Sequence, residues 1–264
     1  MSAAPTVPVS RACSLLCRAV FIELVRRKDV YVLLSLMAVY SVGVISCTLV
    51  GIDNASTGTF LLNLGMTLSY YAAHLLTLVL TARQIPDELE NRTIYPLLAK
   101  PIGRGVLLCS KWGACVLCGM IALTGLWLLG VMPVPRMETY QITTLIQTLL
   151  LFPVSLALLA AIALLISLVA PRGVVLVGAG LIFFFGDKIG GLVERGAESS
   201  VWLTPVAWLT AYLPDFSKLN LITRYTDGIG PVPGAEYVGL LLYGSIITVF
   251  GLALSNAIFQ RRAL

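Results

Sequence analysis

Read for alternation of apolar and polar positions, the chain divides into six apolar segments separated by short polar stretches. They cover residues 30–52, 60–82, 112–133, 143–170, 173–193 and 237–259. Each is about as long as the roughly 20 residues that cross a bilayer core as a helix. The fourth is long and contains Pro153, which predicts a kink or tilt. The fifth begins GVVLVGAGLIFFFG and then meets Asp187 and Lys188, so it spans only by continuing through Ile189–Val193. Gly178, Ala179 and Gly180 inside it suit close helix packing. The predicted fold is therefore an all-α membrane protein with six transmembrane helices in one domain, 1–264.

Three stretches outside the spans have patterns of their own. In residues 10–29, Cys13, Leu16, Cys17, Val20 and Leu24 recur at helical spacing, with Arg11, Ser14 and Arg18 turned away from them. That is an amphipathic helix suited to lying in the interface. The outer loop 194–236 carries VWLTPVAWLTAYLP, apolar but too short to span and broken by Pro205. It reads as a re-entrant or interfacial helix, with Trp202, Trp208 and Tyr212 at headgroup level.

The third stretch, residues 86–104, is compact, charged and punctuated by prolines. Pro86 turns the chain off the second span. Asp87 with Glu90 three residues on has the form of a capping box, which predicts a short helix starting near Glu88. Glu88 and Glu90 would complement its dipole. Pro96 and Pro101 limit it, and Ile94, Leu97 and Leu98 give it an apolar side. Arg104 and Lys111, seven apart, share one side of the next helix if that helix begins near Ile102.

Composition supports the membrane class. The chain is 58% hydrophobic and 12% charged, half the charge of a soluble domain; its mean hydropathy is +0.92. Charge then sets an orientation. With the N-terminus placed inside, thirteen of the eighteen Lys and Arg residues fall in inner segments, while eight of the thirteen acidic residues fall outside. By the positive-inside rule both termini are expected in the cytoplasm. The net charge of +5 is accordingly a topology signal, and nucleic acid is not an expected partner. The N-terminal thirty residues, interrupted by Arg18, Glu23, Arg26 and Arg27, do not read as a signal peptide.

Candidate chemistry is sparse. His74 is the single histidine, in SYYAAHLL within the second span. It either lines a pathway or bonds a neighbouring helix, with the structural bond the better reading of a lone histidine without metal partners. Tyr70 and Tyr71 beside it are candidate pathway-lining residues with it. Cys115 and Cys118 form a CxxC inside an apolar run, with no second pair to complete a metal site. No catalytic set, cofactor site or metal site is expected. The sequence contains no G-x-x-x-x-G-K-[ST], so any ATP would be hydrolysed by a separate subunit.

The run ELENRTIYPLLAKPIGRGVLLCSKW, Glu88 to Trp112, resembles the first cytoplasmic loop of the ABC type-2 permease family. Glu90, Thr93, Leu97, Leu98, Pro101, Arg104 and Lys111 occupy that loop's motif in order. The N-terminal FIELVRRKDVYVLL is similar to the family's interfacial elbow helix, and YLPDFSKLNLITRYTDG to the outer loop before the sixth span in some members. The resemblance implies a permease subunit that forms a translocation pathway, with export the expected direction. It implies a cytoplasmic ABC-type ATPase as partner and a second permease copy or paralogue. Within the loop it makes Glu88, Glu90, Arg92, Thr93, Leu97, Leu98, Pro101, Arg104 and Lys111 the docking and coupling residues. ATP enters only through the partner, and the bacterial inner membrane is the expected location. The alternatives are a membrane-embedded enzyme, which should place His, Glu or Asp within the spans, and a membrane assembly protein without a transport cycle.

Overall fold

The computed structural model describes residues 55–90, 104–131, 139–199, 214–222, 224 and 228–261, with isolated positions between 18 and 46. Helix α1 runs Ala55–Gln84, α2 Pro86–Glu90, α3 Arg104–Val131, α4 Thr139–Ser167, α5 Arg172–Ser199 and α6 Gly234–Arg261. A 3-10 turn lies at Ser217–Leu219. No strand occurs among the described residues.

Among the described residues, four helices are long and apolar enough to cross a bilayer: Phe60–Glu88, Arg104–Leu128, Ile142–Ser167 and Gly234–Arg261. These are the second, third, fourth and sixth predicted spans. The apolar part of α5, Arg172–Gly186, is shorter, as the early Asp187 and Lys188 foretold, but the helix itself continues to Ser199. It therefore takes up the first residues of what was expected to be outer loop. Of the first predicted span, Tyr31, Ser35, residues 38–43, Ile45 and Ser46 are helical; of the interfacial helix, Arg18 and Ile22 are. The rest of both, and the apolar stretch 201–213, lie outside the described residues.

Two boundaries differ from expectation for local reasons. Helix α2 begins at Pro86 rather than near Glu88, because proline's fixed φ and missing N–H suit the first helical position. Helix α3 begins at Arg104, eight residues before the apolar run at Trp112. Its first two turns are held by neighbours at one end of the bundle rather than by lipid. Helix α4 passes through Pro153 without a break.

Helix α4 is the centre of the bundle. Leu151, Phe152, Leu156, Leu158, Leu159, Ala160, Ala161, Ala163 and Leu164 are all fully buried, which covers most of its circumference. A helix apolar all round needs such a place. Helix α1 packs most extensively against α3 and α4. The contact with α3 is close because Gly119 faces Thr77, where a Cβ would overlap the threonine hydroxyl. Small residues at crossings let membrane helices approach, since lipid tails offer no hydrophobic driving force between them. Helix α6 is peripheral, with only 17% of its apolar window buried.

Buried hydroxyls are satisfied within their own helices. Ser69, Thr77, Thr81, Thr148, Thr248 and Ser255 each donate to the carbonyl four residues back. Without water in the hydrocarbon core, polar groups require such internal partners. The segment from Pro214 to Val232 folds back onto the bundle, burying Phe216, Leu219, Leu221, Ile222 and Val232. Gln147 of α4 anchors its far end. The Gln147 amide donates to the Val232 carbonyl and accepts from the Val232 N–H, both at 2.9 Å.

Candidate functional site

Two side-chain groupings stand out, one at the α2 end of the bundle and one partway along it. The first surrounds α2. Helix α1 ends at Gln84, Ile85 makes the turn, and Pro86 opens α2. Lys111, about two turns into α3, turns toward this corner. Its ammonium donates to the Gln84 carbonyl at 3.2 Å and forms an ion pair with Glu88. The Lys111 side chain is 4% exposed. A lysine buried to this degree needs both a counter-charge and hydrogen-bond acceptors, and here it has them. Asp87 lies 4.0 Å from the guanidinium of Arg172, the first residue of α5. Glu90 is exposed.

Arg104 serves a different neighbour. Its Nη1 donates to the carbonyls of Phe259 at 3.3 Å and Gln260 at 3.2 Å. Those carbonyls are in the last turn of α6, where the helix has no N–H of its own left to donate to them. A guanidinium there also meets the negative end of the helix dipole. Arg104 and Lys111 do share a side of α3, but their long side chains diverge, one to α6 and one to α1 and α2. Helix α2 is thus tied to α3 and α5, and the start of α3 to α1 and α6, at a single end. Arg92, Thr93, Leu97, Leu98 and Pro101 lie outside the described residues.

The second grouping is aromatic. His74 is completely buried in the middle of α1. Its Nδ1 lies 2.7 Å from the Tyr70 carbonyl, an acceptor only, so Nδ1 carries the proton. Nε2 is then the acceptor, and the Ser155 hydroxyl of α4 donates to it. The ring stacks on Phe183 of α5, with centroids 4.8 Å apart and planes 14° apart. Tyr70 packs on Phe152 and Phe183, Tyr71 on Phe184, and Phe183 on Phe216 of the returning segment. Tyr70 and Tyr71 line a cavity of about 130 Å³ with Phe183, Phe184, Lys188 and Asn220. His74 is one turn deeper, behind that wall.

The Ser155–His74 contact has the composition of a nucleophile and a base. Both side chains are fully buried, however, and both ring nitrogens are engaged, so the pair acts as a bond between α1 and α4. Cys115 and Cys118 are free thiols packed with Leu76, Leu80 and Ala114. No group of three metal-ligating side chains occurs among the described residues.

The sequence profile of the ABC-2 family transporter proteins matches residues 21–264. The chain belongs to the ABC-2 transporter family. No curated protein matches it closely enough to count as a relative. As an ABC-2 permease it is an integral, multi-pass transporter membrane subunit rather than a catalyst. Within this permease, the sequence alone pointed to Glu88, Arg104 and Lys111, but not to the pairing of Glu88 with Lys111, to the neighbouring Asp87–Arg172 contact or to the α6 carboxyl end that Arg104 meets. It also pointed to Tyr70, Tyr71 and His74, but missed Ser155, Phe183 and Lys188. The run FFFG at 183–186 was the visible sign of an aromatic cluster.

Proposed function

We propose that this permease is the pathway-forming half of an ATP-driven transporter, and that a cytoplasmic ABC-type ATPase docks at the α2 end. The observation that carries the reading is the convergence there. A five-residue helix is fastened to α3 by Glu88–Lys111 and to α5 by Asp87–Arg172, while Lys111 and Arg104 tie the start of α3 to α1 and α6. A push on an element fastened at these points moves several spans together. In this reading Glu90, exposed on α2, belongs to the docking face, with Arg92, Thr93, Leu97, Leu98 and Pro101 following it. Glu88, Lys111 and Arg104 transmit the movement rather than contact the partner.

The remaining parts follow from this arrangement. The α2 end is cytoplasmic, in keeping with Arg83, Arg104, Lys111, Arg172 and Arg261 gathered at that end. Both termini are then cytoplasmic, in a bacterial inner membrane. A second copy or paralogue completes the pathway, ATP is used only by the partner, and export is the direction. The test is purification of the tagged chain from its host in mild detergent, followed by mass spectrometry and an ATPase assay. The expected result is a co-purifying chain with a phosphate-binding loop that is lost in Glu90→Lys. A complex unaffected by Glu90→Lys and by replacement of Leu97 and Leu98 with Asp would overturn the docking assignment.

A further inference from the structure

A cavity partway along the bundle, on the side of α5, has the makings of a ligand site. It lies between α1, α5 and the returning segment, and its volume is about 130 Å³. Lys188 on its rim is sixteen residues along α5 from Arg172, which puts it about 24 Å from the α2 end at 1.5 Å per residue. Its inner wall is aromatic: Tyr70, Tyr71, Phe183, Phe184 and Phe216. An apolar cavity of roughly 150 Å³ holds one benzene ring, so this one suits a ring or a short alkyl group.

The rim decides the charge. Aromatic walls by themselves would also suit an organic cation. Here Lys188, one turn beyond Phe184 on α5, is exposed at the mouth and pairs with no described acidic residue. Asn220, which lines the cavity, accepts the Ile222 N–H on its Oδ1, and its amide NH2 is a donor. The Asp215 carboxylate nearby is taken up by Ser217, through both N–H and hydroxyl, and by Lys218 at 3.6 Å. The rim therefore offers donors with a positive charge, and among the described residues the acidic group beside it, Asp215, is already engaged.

We propose that this cavity binds a compact anionic amphiphile, with a ring-sized apolar part among Tyr71, Phe183 and Phe184 and a carboxylate, sulfonate or phosphate on Lys188 and Asn220. The ligand reaches it either from solution or as an anionic lipid from the bilayer. The site is defined within one chain and requires no ATPase, so it stands or falls apart from the docking reading.

The test uses the full-length chain in nanodiscs of zwitterionic phosphatidylcholine, with 4-fluorophenylacetate followed by fluorine saturation-transfer NMR. Saturable binding is expected, at least tenfold weaker for the neutral amide and for 4-fluorobenzyl-trimethylammonium. Lys188→Gln should weaken the acid roughly five- to tenfold, the size of one partly buried charge-assisted contact, and Lys188→Arg should retain it. Phe184→Ala should weaken acid and amide alike, which separates the wall from the rim. Replacing part of the lipid with phosphatidylglycerol distinguishes the sources. Displacement of the probe marks a lipid ligand and undiminished binding marks a soluble one, and either upholds the anion site. No saturable binding of the acid, equal binding to Lys188→Gln, or preference for the cation would overturn the proposal.

Discussion

Glu88 and Lys111, 23 residues apart in sequence, form an ion pair that joins the short helix after α1 to the second turn of α3. The lysine is almost fully buried and the glutamate is a quarter exposed. The same ammonium holds the last carbonyl of α1, that of Gln84. One cation thereby closes the corner where α1, α2 and α3 meet.

Removing either partner leaves a charge in poor surroundings. Breaking a fully buried pair costs about 3–5 kcal/mol, and the exposure of Glu88 places this one nearer 1–3 kcal/mol. Lys111→Met and Glu88→Gln should each lower the unfolding midpoint of the detergent-solubilised protein. The double variant should lose less than the sum, because it leaves no unpaired charge. Additive losses in thermal unfolding would show that the two side chains do not act together. If α2 is the docking helix, Lys111→Met should also keep the ATPase bound while diminishing its stimulation.

Arg104 is the cap of α6. Arg104→Ala removes the donor from the Phe259 and Gln260 carbonyls, so hydrogen exchange should rise in residues 256–261 while the middle of α6 stays protected. The local loss should be about 0.5–1 kcal/mol, the size of a charge at a helix terminus. Arg104→Lys should recover part of it, since an ammonium supplies charge without the planar fork. Unchanged exchange at the end of α6 would refute the cap.

The crossing of α1 and α3 depends on Gly119. Gly119→Ala sets a methyl against the Thr77 hydroxyl and should destabilise the protein by about 1–3 kcal/mol, as overpacking does. Thr77→Ala in the same chain makes room and should return most of that loss. Failure of the second substitution to rescue the first, read by thermal unfolding, would place the strain elsewhere.

His74 and Ser155 form the polar bond between α1 and α4, 81 residues apart. Ser155→Ala leaves the buried Nε2 without a donor and should cost about 1–3 kcal/mol. His74→Leu with Ser155→Ala removes both polar groups and should cost less than the two single changes together. A pathway role for His74 makes a separate demand: transport should fall in His74→Gln even where the fold is retained. Full transport in a folded His74→Gln protein would leave the bond between helices as its whole role.

The spans were largely legible from the sequence because hydrophobic length is a local property. A run of apolar residues long enough to cross a bilayer must become a helix, since no other backbone form satisfies its own polar groups there. The second, third, fourth and sixth segments announced themselves in this way, and Pro86 with Asp87 marked the short helix between spans. Composition and the loop from Glu88 to Trp112 likewise carried the transporter family, which the match over residues 21–264 establishes. What stayed hidden were the partners. Arg104 meets carbonyls 155 and 156 residues away, Gln147 meets Val232 across 85, and His74 meets Ser155 across 81. Periodicity states which face of a helix is apolar but not which helix it will cross or at what height. Those choices are made by small residues such as Gly119, which set how closely two helices approach, and by the need of each buried polar group for a partner once water is gone.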